Sequence, residues 1–170
     1  MEEQTPLEFA LDFEINGAKM YLDFAVKTRN LLTKQLFYTL AKQEVDHAKT
    51  IEEFSSNIIK RKEFKFSSFL PSVEEELKGF FQKSKKINLK ENVERIEGYT
   101  IAMEMERKGY KAYEDFYKKA MDESEKSFFK FLMREEKKHG EALANAYYFL
   151  TQTKDWIQEE EGKVWNWMNI

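Results

Sequence analysis

The motif Glu-x-x-His occurs twice in this sequence, as Glu44-Val45-Asp46-His47 and as Glu136-Lys137-Lys138-His139. These copies contain the only two histidines of the chain. When the sequence is shifted against itself by 92 residues, from Glu44 to Glu136, the copies align without a gap. The chain is therefore predicted to be a duplicated helical hairpin, because the match continues upstream through Ala10/Ala102, Glu14/Glu106, Gly17/Gly109, Lys19/Lys111, Tyr21/Tyr113, Asp23/Asp115, Phe24/Phe116, Phe37/Phe129 and Leu40/Leu132.

Composition favours one mostly helical domain. The chain has 170 residues, 42% of them hydrophobic, with only six glycines and two prolines. No run approaches the roughly 18 apolar residues of a membrane span, and the acidic start lacks the apolar segment of a signal peptide, so we expect a cytoplasmic protein without a membrane partner. The net charge of -3 gives no electrostatic reason to expect nucleic acid as a partner.

Capping residues and apolar periodicity predict the helices. We expect an all-α four-helix bundle over residues 1–150, built from two helical hairpins that a long crossover at about 61–88 joins. The first helix should end near Lys27, the second near Lys60 and the last near Leu150. The predicted caps, which include a short helix in the crossover, are Thr5 with Glu8, Asn30, Ser72 with Glu75, Asn88 with Glu91, and Asp122 with Glu125.

The C-terminal segment, residues 151–170, contains all three tryptophans of the chain, Trp156, Trp165 and Trp167. Tryptophan combines a large apolar surface with one polar N–H group, so it is common where a surface is only partly buried. We expect this segment either to close one end of the bundle or to pair with another subunit.

Acidic residues interrupt the apolar faces of the first and third bundle helices. Glu14 has Ala10 and Gly17 as helical neighbours, whereas Asp12 has polar neighbours. In the same way Glu106 is predicted to face the core and Glu104 to face solvent. The predicted buried stripe of the third bundle helix comprises Tyr99, Ala102, Met103, Glu106, Gly109, Tyr110 and Tyr113.

The spacing of Glu-x-x-His places both side chains on one face of a helix, where they can reach one metal ion. An acid in an apolar stripe precedes each copy by 30 residues, Glu14 before Glu44 and Glu106 before Glu136. Four carboxylates in one apolar core would repel each other without a cation, and two divalent ions cancel their charge. This donor set suits iron or manganese; zinc would bind without redox chemistry. The predicted metal ligands are Glu14, Glu44, His47, Glu106, Glu136 and His139.

Neighbouring residues have more than one predicted role. Gly17 and Gly109 either allow close helix packing or leave room for dioxygen or peroxide. Tyr21 and Tyr113, the candidate catalytic residues, either hydrogen-bond a carboxylate ligand or donate an electron. The residues that precede the motifs, Gln43 and Glu135, are candidates to orient a histidine across the bundle.

These motifs as a set resemble the rubrerythrin branch of the ferritin-like superfamily. The resemblance rests on Ala10-x-x-x-Glu14-x6-Tyr21, Glu44-x-x-His47, Ala102-x-x-x-Glu106-x6-Tyr113 and Glu136-x-x-His139, and it extends from about Pro6 to Leu150 without the crossover. It implies a centre of two iron ions that reduces hydrogen peroxide or reacts with dioxygen under oxidative stress, within a homodimer.

The sequence departs from the family pattern at three points. The chain has no cysteine, so it contains no rubredoxin domain, and we expect an external electron donor such as a separate rubredoxin-type protein. Rubrerythrins have an additional glutamate where this chain has Gly109, which leaves a ligand set also similar to that of bacterioferritin. The distance from Glu14 to Glu44 is about three residues shorter than the family implies, which predicts tight turns within both hairpins.

Three functions therefore compete. The first is an oxidoreductase that reduces peroxide with electrons from an external donor. The second is a ferroxidase for iron storage or detoxification, assembled into a cage. The third is a bundle that is not an enzyme and that the metal only stabilises.

Overall fold

Five α-helices and one short 3-10 helix make up the computed structural model, which describes residues 4–60, 66, 68, 70–93, 96–152 and 165–169. No strand occurs within these ranges, which confirms the all-α bundle. In the same ranges no helix combines the length and the apolar character that crossing a membrane requires. The elements are α1 (Pro6–Lys27), α2 (Leu31–Lys60), α3 (Val73–Lys83), α4 (Glu97–Lys119), α5 (Glu123–Thr151) and the 3-10 helix Asn166–Asn169.

The two hairpins have the tight turns that the sequence predicts. Helices α1 and α2 are joined by residues 28–30, and α4 and α5 by residues 120–122. In each case the two helices of a hairpin pack along their length. Helix α3, from the predicted crossover, lies against both α2 and α5 and so covers one side of the bundle. Residues 61–65, 67 and 69 of that crossover lie outside the described residues.

Side-chain caps fix most of the helix starts. The Thr5 hydroxyl accepts a hydrogen bond from the Glu8 backbone N–H at 3.3 Å, and the Glu8 carboxylate accepts one from the Thr5 backbone N–H at 2.8 Å. Ser72 and Glu75 form the same reciprocal pair at the start of α3. Asp122 accepts hydrogen bonds from two backbone N–H groups at the start of α5. These predicted caps are confirmed.

The predicted start of α4 at Asn88 is wrong. The Asn88 side chain accepts a hydrogen bond from Lys90 N, but the segment forms turns, and Asn92 has a positive φ of 53°. The Asn30 side chain donates to the carbonyl oxygens of Leu89 and Glu91, at 2.7 and 2.8 Å. These contacts with the α1–α2 turn hold the segment in a non-helical conformation, and α4 begins only at Glu97.

Tyr110 also departs from the predicted stripe of α4. Its side chain is 36% exposed, whereas Gly109 and Tyr113 on either side of it are buried. Successive residues of a helix point about 100° apart, so Tyr110 lies at the edge of the buried face that Glu106, Gly109 and Tyr113 define.

The bundle core consists of two apolar clusters with a polar layer between them. One cluster contains Leu40 of α2 and Ala102 of α4, and the other contains Ala10 of α1 and Leu132 of α5. Along each of the four long helices the chain passes from one cluster to the other. The buried acids and histidines lie where it does so, and the apolar clusters therefore close the polar layer on both sides.

The described part of the C-terminal segment packs on this same bundle. Trp165 and Met168 are 5% and 3% exposed and belong to the first cluster. The Trp165 backbone N–H donates to Asn145 of α5 at 2.8 Å, and the Trp167 indole N–H donates to Glu74 of α3 at 3.0 Å. Trp156 lies outside the described residues.

Candidate metal centre

The structure brings the six predicted ligands together in the polar layer. Helices α1 and α4 each contribute one acid, and α2 and α5 each contribute one Glu-x-x-His. All six residues are at most 2% exposed: Glu14, Glu44, His47, Glu106, Glu136 and His139. Asp12 of α1 is exposed, as predicted, and Glu104 of α4 points away from the core and pairs with Arg107 at 2.8 Å. The helical phase of both acids is thus confirmed, while their role as ligands stays a prediction.

The two histidines lie side by side at the centre of the layer. Their rings are stacked, with centroids 5.2 Å apart and planes 14° from parallel. His47 Nδ1 is 3.0 Å from Glu14 Oε2 and 3.5 Å from Glu44 Oε2. His139 Nδ1 is 3.3 Å from Glu44 Oε1 and 3.6 Å from Glu106 Oε2. Glu44 therefore lies close to both histidines, and its two oxygens could serve both halves of a metal site.

Many polar atoms of the layer have no hydrogen-bond partner. Eight buried nitrogen and oxygen atoms form no hydrogen bond with any part of the chain that the structure describes. They are both carboxylate oxygens of Glu44 and of Glu136, Glu106 Oε2, His47 Nε2 and both ring nitrogens of His139. Each such atom costs about 1–3 kcal/mol. A buried cluster of unsatisfied donor atoms of this kind fits a site for cations.

The arrangement of these atoms meets the geometric requirement of a metal site. One ligand atom each from Glu44, His47, Glu136 and His139 can be chosen so that all four lie within 4.8 Å of one another. Carboxylate oxygens and imidazole nitrogens in a buried site suit iron, manganese or zinc, and two Glu-x-x-His motifs with two further glutamates form the donor set of di-iron carboxylate bundles. The residues present thus fit a binuclear metal centre.

Burial and mutual repulsion shift the protonation of these groups when no cation is bound. Burial raises the pKa of Glu44 well above its usual range, and the Glu14 charge raises it further. Burial and the surrounding carboxylates raise the pKa of Glu136 as well. Burial opposes the charged form of Glu14, but contacts with Glu44 and His47 lower its pKa to about 2. Without a cation, burial and the neighbouring carboxylates thus favour the protonated form of Glu44 and of Glu136.

The neighbouring carboxylates favour the protonated form of both histidines. Burial alone would lower the pKa of His47, but the Glu14 carboxylate raises it to about 9. The pKa of His139 is raised too, since Glu106 outweighs the cost of burial. A metal ion requires a neutral imidazole and an ionised carboxylate, so metal binding at these groups must release protons.

The two candidate catalytic tyrosines connect the repeats. The Tyr21 hydroxyl of α1 donates a hydrogen bond to Glu106 of α4, and the Tyr113 hydroxyl of α4 donates one to Glu14 of α1. Both rings are fully buried. Burial and the carboxylate charges raise the pKa of both hydroxyls well above the usual value, so the tyrosines remain protonated donors. Of the two predicted roles, the geometry agrees with the hydrogen bond to a carboxylate.

The two glycines lie directly beside the motif carboxylates. A Cβ atom on Gly17 would lie 3.4 Å from Glu44 Cδ and 3.4 Å from Met105 Cε. A Cβ atom on Gly109 would lie 2.6 Å from Glu136 Oε2 and 2.6 Å from the Phe13 ring. Close packing is therefore the role of Gly109, because Glu136 and Phe13 occupy the space in which a side chain would lie.

Sequence reasoning missed Phe13 and Met105. Phe13 packs against Gly109, and Met105 packs against Gly17. The shift of 92 residues that aligns the repeats also pairs these two positions, although the residues differ. The pairing of the two positions by the repeat was the only signal in the sequence, and it does not show what either residue contacts.

The interpretation of Gln43 and Glu135 as residues that orient the histidines is wrong. The Gln43 amide donates to the Pro71 carbonyl oxygen at 2.8 Å, and Glu135 pairs with Lys138 at 2.8 Å. Neither side chain hydrogen-bonds an imidazole, because each precedes a core-facing glutamate by one residue, about 100° around the helix.

Comparison with protein families agrees with this geometry. A family model described as Rubrerythrin matches residues 6–147, a range that contains the first hairpin, all of the second except the last four residues of α5, and all six predicted ligands. Neither the search of curated proteins nor the search of solved structures finds a match.

Proposed function

The chain belongs to the rubrerythrin family, and on that premise we propose that it is a cytoplasmic binuclear iron oxidoreductase that reduces hydrogen peroxide. The observation that carries the proposal is the group of eight buried, unsatisfied nitrogen and oxygen atoms in the polar layer. Donor atoms in this number, on two Glu-x-x-His motifs, are suited to two cations rather than one.

The six predicted ligands divide between the two ions by repeat. Glu44 and His47 would hold one ion, Glu136 and His139 the other, and Glu14 and Glu106 would complete the site. When bound, two iron ions would each supply one of the two electrons that convert hydrogen peroxide and two protons to water. Iron is favoured over zinc in this proposal because the reaction requires a change of oxidation state.

The chain's own residues prepare the site for this chemistry. The hydrogen bonds from Tyr21 to Glu106 and from Tyr113 to Glu14 hold the two non-motif acids in place. The apolar clusters on both sides of the layer exclude bulk water. Glu44 and Glu136 release their protons on loading, and each then presents two free carboxylate oxygens.

The proposal includes an external electron donor and a homodimer. The 170 residues contain no cysteine with which to build an iron–sulfur donor site. Large apolar side chains lie exposed on the α1–α2 hairpin, which supports an interface between copies of the chain. These are Leu22, Val26, Leu31, Tyr38 and Val45, which are 40% to 70% exposed. Sedimentation analysis should give the mass of a dimer.

Stopped-flow absorbance tests the proposed activity. Protein loaded anaerobically with two equivalents of Fe²⁺ is mixed in parallel with hydrogen peroxide and with dioxygen. We expect a diferric chromophore that forms much faster with peroxide, and repeated turnover when a reductant is supplied. A faster reaction with dioxygen would contradict the peroxidase and favour an oxidase or a ferroxidase.

A ferroxidase for iron storage is the second candidate, and Gly109 favours it. At the position that carries an additional glutamate in rubrerythrins, a side chain would here collide with Glu136 and Phe13 unless both moved. The six-residue ligand set that remains is also that of a bacterioferritin-like site. A ferroxidase should prefer dioxygen and assemble into a large cage, so a dimer that prefers peroxide would exclude it. If neither oxidant reacts while chelation lowers the melting temperature, the metal only stabilises the bundle.

A further inference from the structure

The outer face of α5 is basic although the chain as a whole is acidic. Between residues 126 and 138 this helix has five cationic and two acidic residues, Glu135 and Glu136, and both acids are buried. The cations recur at intervals of three or four residues and so share one side of the helix. We name them the basic stripe: Lys126, Lys130, Arg134, Lys137 and Lys138.

Three side chains of the basic stripe are free to bind a partner. Lys126 pairs with Glu123 at 2.8 Å, and Lys138 pairs with Glu135 at the same distance. Lys130, Arg134 and Lys137 are exposed and form no ion pair with a residue in the described ranges. An unpaired row of this kind attracts an acidic surface and accelerates its association at low salt.

A pocket of about 380 Å³ opens beside the basic stripe, between α2 and α5. Arg134 and Lys138 line it together with Ser68, Ser72 and Phe131. Arg134, the cationic lining residue that has no ion pair within the described ranges, can hydrogen-bond an acidic side chain that a partner inserts. The pocket thus offers a defined contact point within a charged surface.

The same pocket lies next to the candidate metal centre. Phe131 is 3% exposed and packs edge-on against the His47 imidazole, with ring centroids 6.2 Å apart. Gln43 and Glu135, which also line the pocket, directly precede the two motif glutamates Glu44 and Glu136. The pocket is thus separated from His47 by the Phe131 ring alone, and two of its lining residues are the chain neighbours of predicted ligands.

We propose that the basic stripe and its pocket are the docking surface for the external electron donor, a small protein with acidic residues around a one-electron redox group. The proposal rests on the proposed function, since only a redox centre requires such a donor. Each encounter would transfer one electron from the donor, so two encounters would supply the two electrons that the reduction of one peroxide to water consumes. Nearness to His47 favours a redox partner over a nucleic acid or an anionic membrane.

Binding of an acidic rubredoxin, used as the probe, tests the surface. Isothermal titration of the iron-loaded protein with oxidised rubredoxin should show binding that weakens as salt increases. The double variant Arg134→Glu/Lys137→Glu should lower the affinity at least about tenfold. The control Lys19→Glu/Lys111→Glu changes the net charge equally on exposed positions of α1 and α4, and should bind as the wild type does. Arg134→Gln/Lys137→Gln, a milder change, should give an intermediate loss.

Equal binding by all variants, or no binding at low salt, would overturn the docking surface. Binding of a short RNA or of anionic vesicles through the stripe, without binding of the rubredoxin, would overturn it as well. Reduction of the diferric protein by the small neutral reductant hydroquinone separates the two proposals. If neither hydroquinone nor the strong reductant dithionite reduces the centre, the proposed function is wrong, whereas the titration still decides whether the surface binds an acidic protein.

Discussion

Glu136 Oε2 lies 2.6 Å from the point where Gly109 would carry a Cβ atom, while in the other repeat the nearest atom of Glu44 to the corresponding point on Gly17 is at 3.4 Å. The two halves of the duplicated site are therefore not equally tight. Phe13 closes the gap on the Gly109 side, and the more flexible Met105 does so on the Gly17 side. Substitutions at the two glycines should differ accordingly.

Gly109→Ala should destabilise the protein by about 1–3 kcal/mol, because both the Phe13 ring and the Glu136 carboxylate must move. Gly17→Ala is the matched variant. There the higher helix propensity of alanine, worth about 1 kcal/mol, should offset the mild contact of its Cβ atom with Glu44 and Met105. Thermal denaturation of both variants measures the difference. Equal melting temperatures would contradict the asymmetry.

Glu106→Ala and His47→Ala should each abolish binding of a second metal ion, because each removes a donor from the buried layer. Glu104→Ala is the control, because Glu104 lies on the solvent side of α4 and pairs with Arg107. This variant should bind two ions as the wild type does. Equilibrium dialysis against Fe²⁺ without oxygen, followed by metal analysis, gives the stoichiometry. If Glu104 were needed and Glu106 were not, the ligand assignment for α4 would be wrong.

Tyr21→Phe and Tyr113→Phe should each weaken metal binding about 10- to 100-fold, since each removes the hydrogen bond that orients an acid from the other repeat. Tyr99→Phe is the control, because the Tyr99 hydroxyl contacts Thr33 and not a carboxylate of the layer. Competition with a chelator of known affinity measures the change. Similar affinities for all three variants would show that the hydrogen bonds do not position the acids.

The metal-free protein should lose stability as the pH rises from about 6.5 to about 9. The pKa of His47 is raised from 6.5 to about 9, so the folded state binds more protons than the unfolded state in this window. His47 alone accounts for a loss on the order of 3 kcal/mol. The raised pKa of Glu44 and of Glu136 acts in the same direction from about 4.5 upward. The lowered pKa of Glu14 acts oppositely, but only below about 4.5.

Metal should reverse this trend, since it competes with the same protons and binds more tightly at higher pH. Urea denaturation at several pH values, with and without metal, compares the two curves. We expect the stabilisation by metal to grow from pH 6 to pH 9. Parallel curves would mean that the layer does not exchange protons for cations.

Local signals in the sequence predicted most helix boundaries and the phase of the site residues. Thr5, Ser72 and Asp122 were predictable because each caps a helix through backbone groups within three residues. Asn88 has the same local signature, but Asn30, which is distant in the sequence, binds the carbonyl oxygens beside it. No local pattern records such a tertiary contact.

In the candidate site too, local features were predictable from the sequence and tertiary contacts were not. Periodicity selected Glu14 over Asp12 and Glu106 over Glu104, because the side of a helix is a local property. Which tyrosine contacts which acid depends on how α1 and α4 cross, and only the structure pairs Tyr21 with Glu106. The contact between Phe13 and Gly109 depends on the same crossing.

Anomalous X-ray diffraction at the iron edge, on crystals loaded anaerobically with Fe²⁺, tests the central claim most directly. We predict two iron peaks in the polar layer, one bonded to the motif of α2 and one to the motif of α5, with Glu14 and Glu106 as further ligands. A single peak, or iron bound only to exposed carboxylates outside the layer, would contradict a binuclear centre.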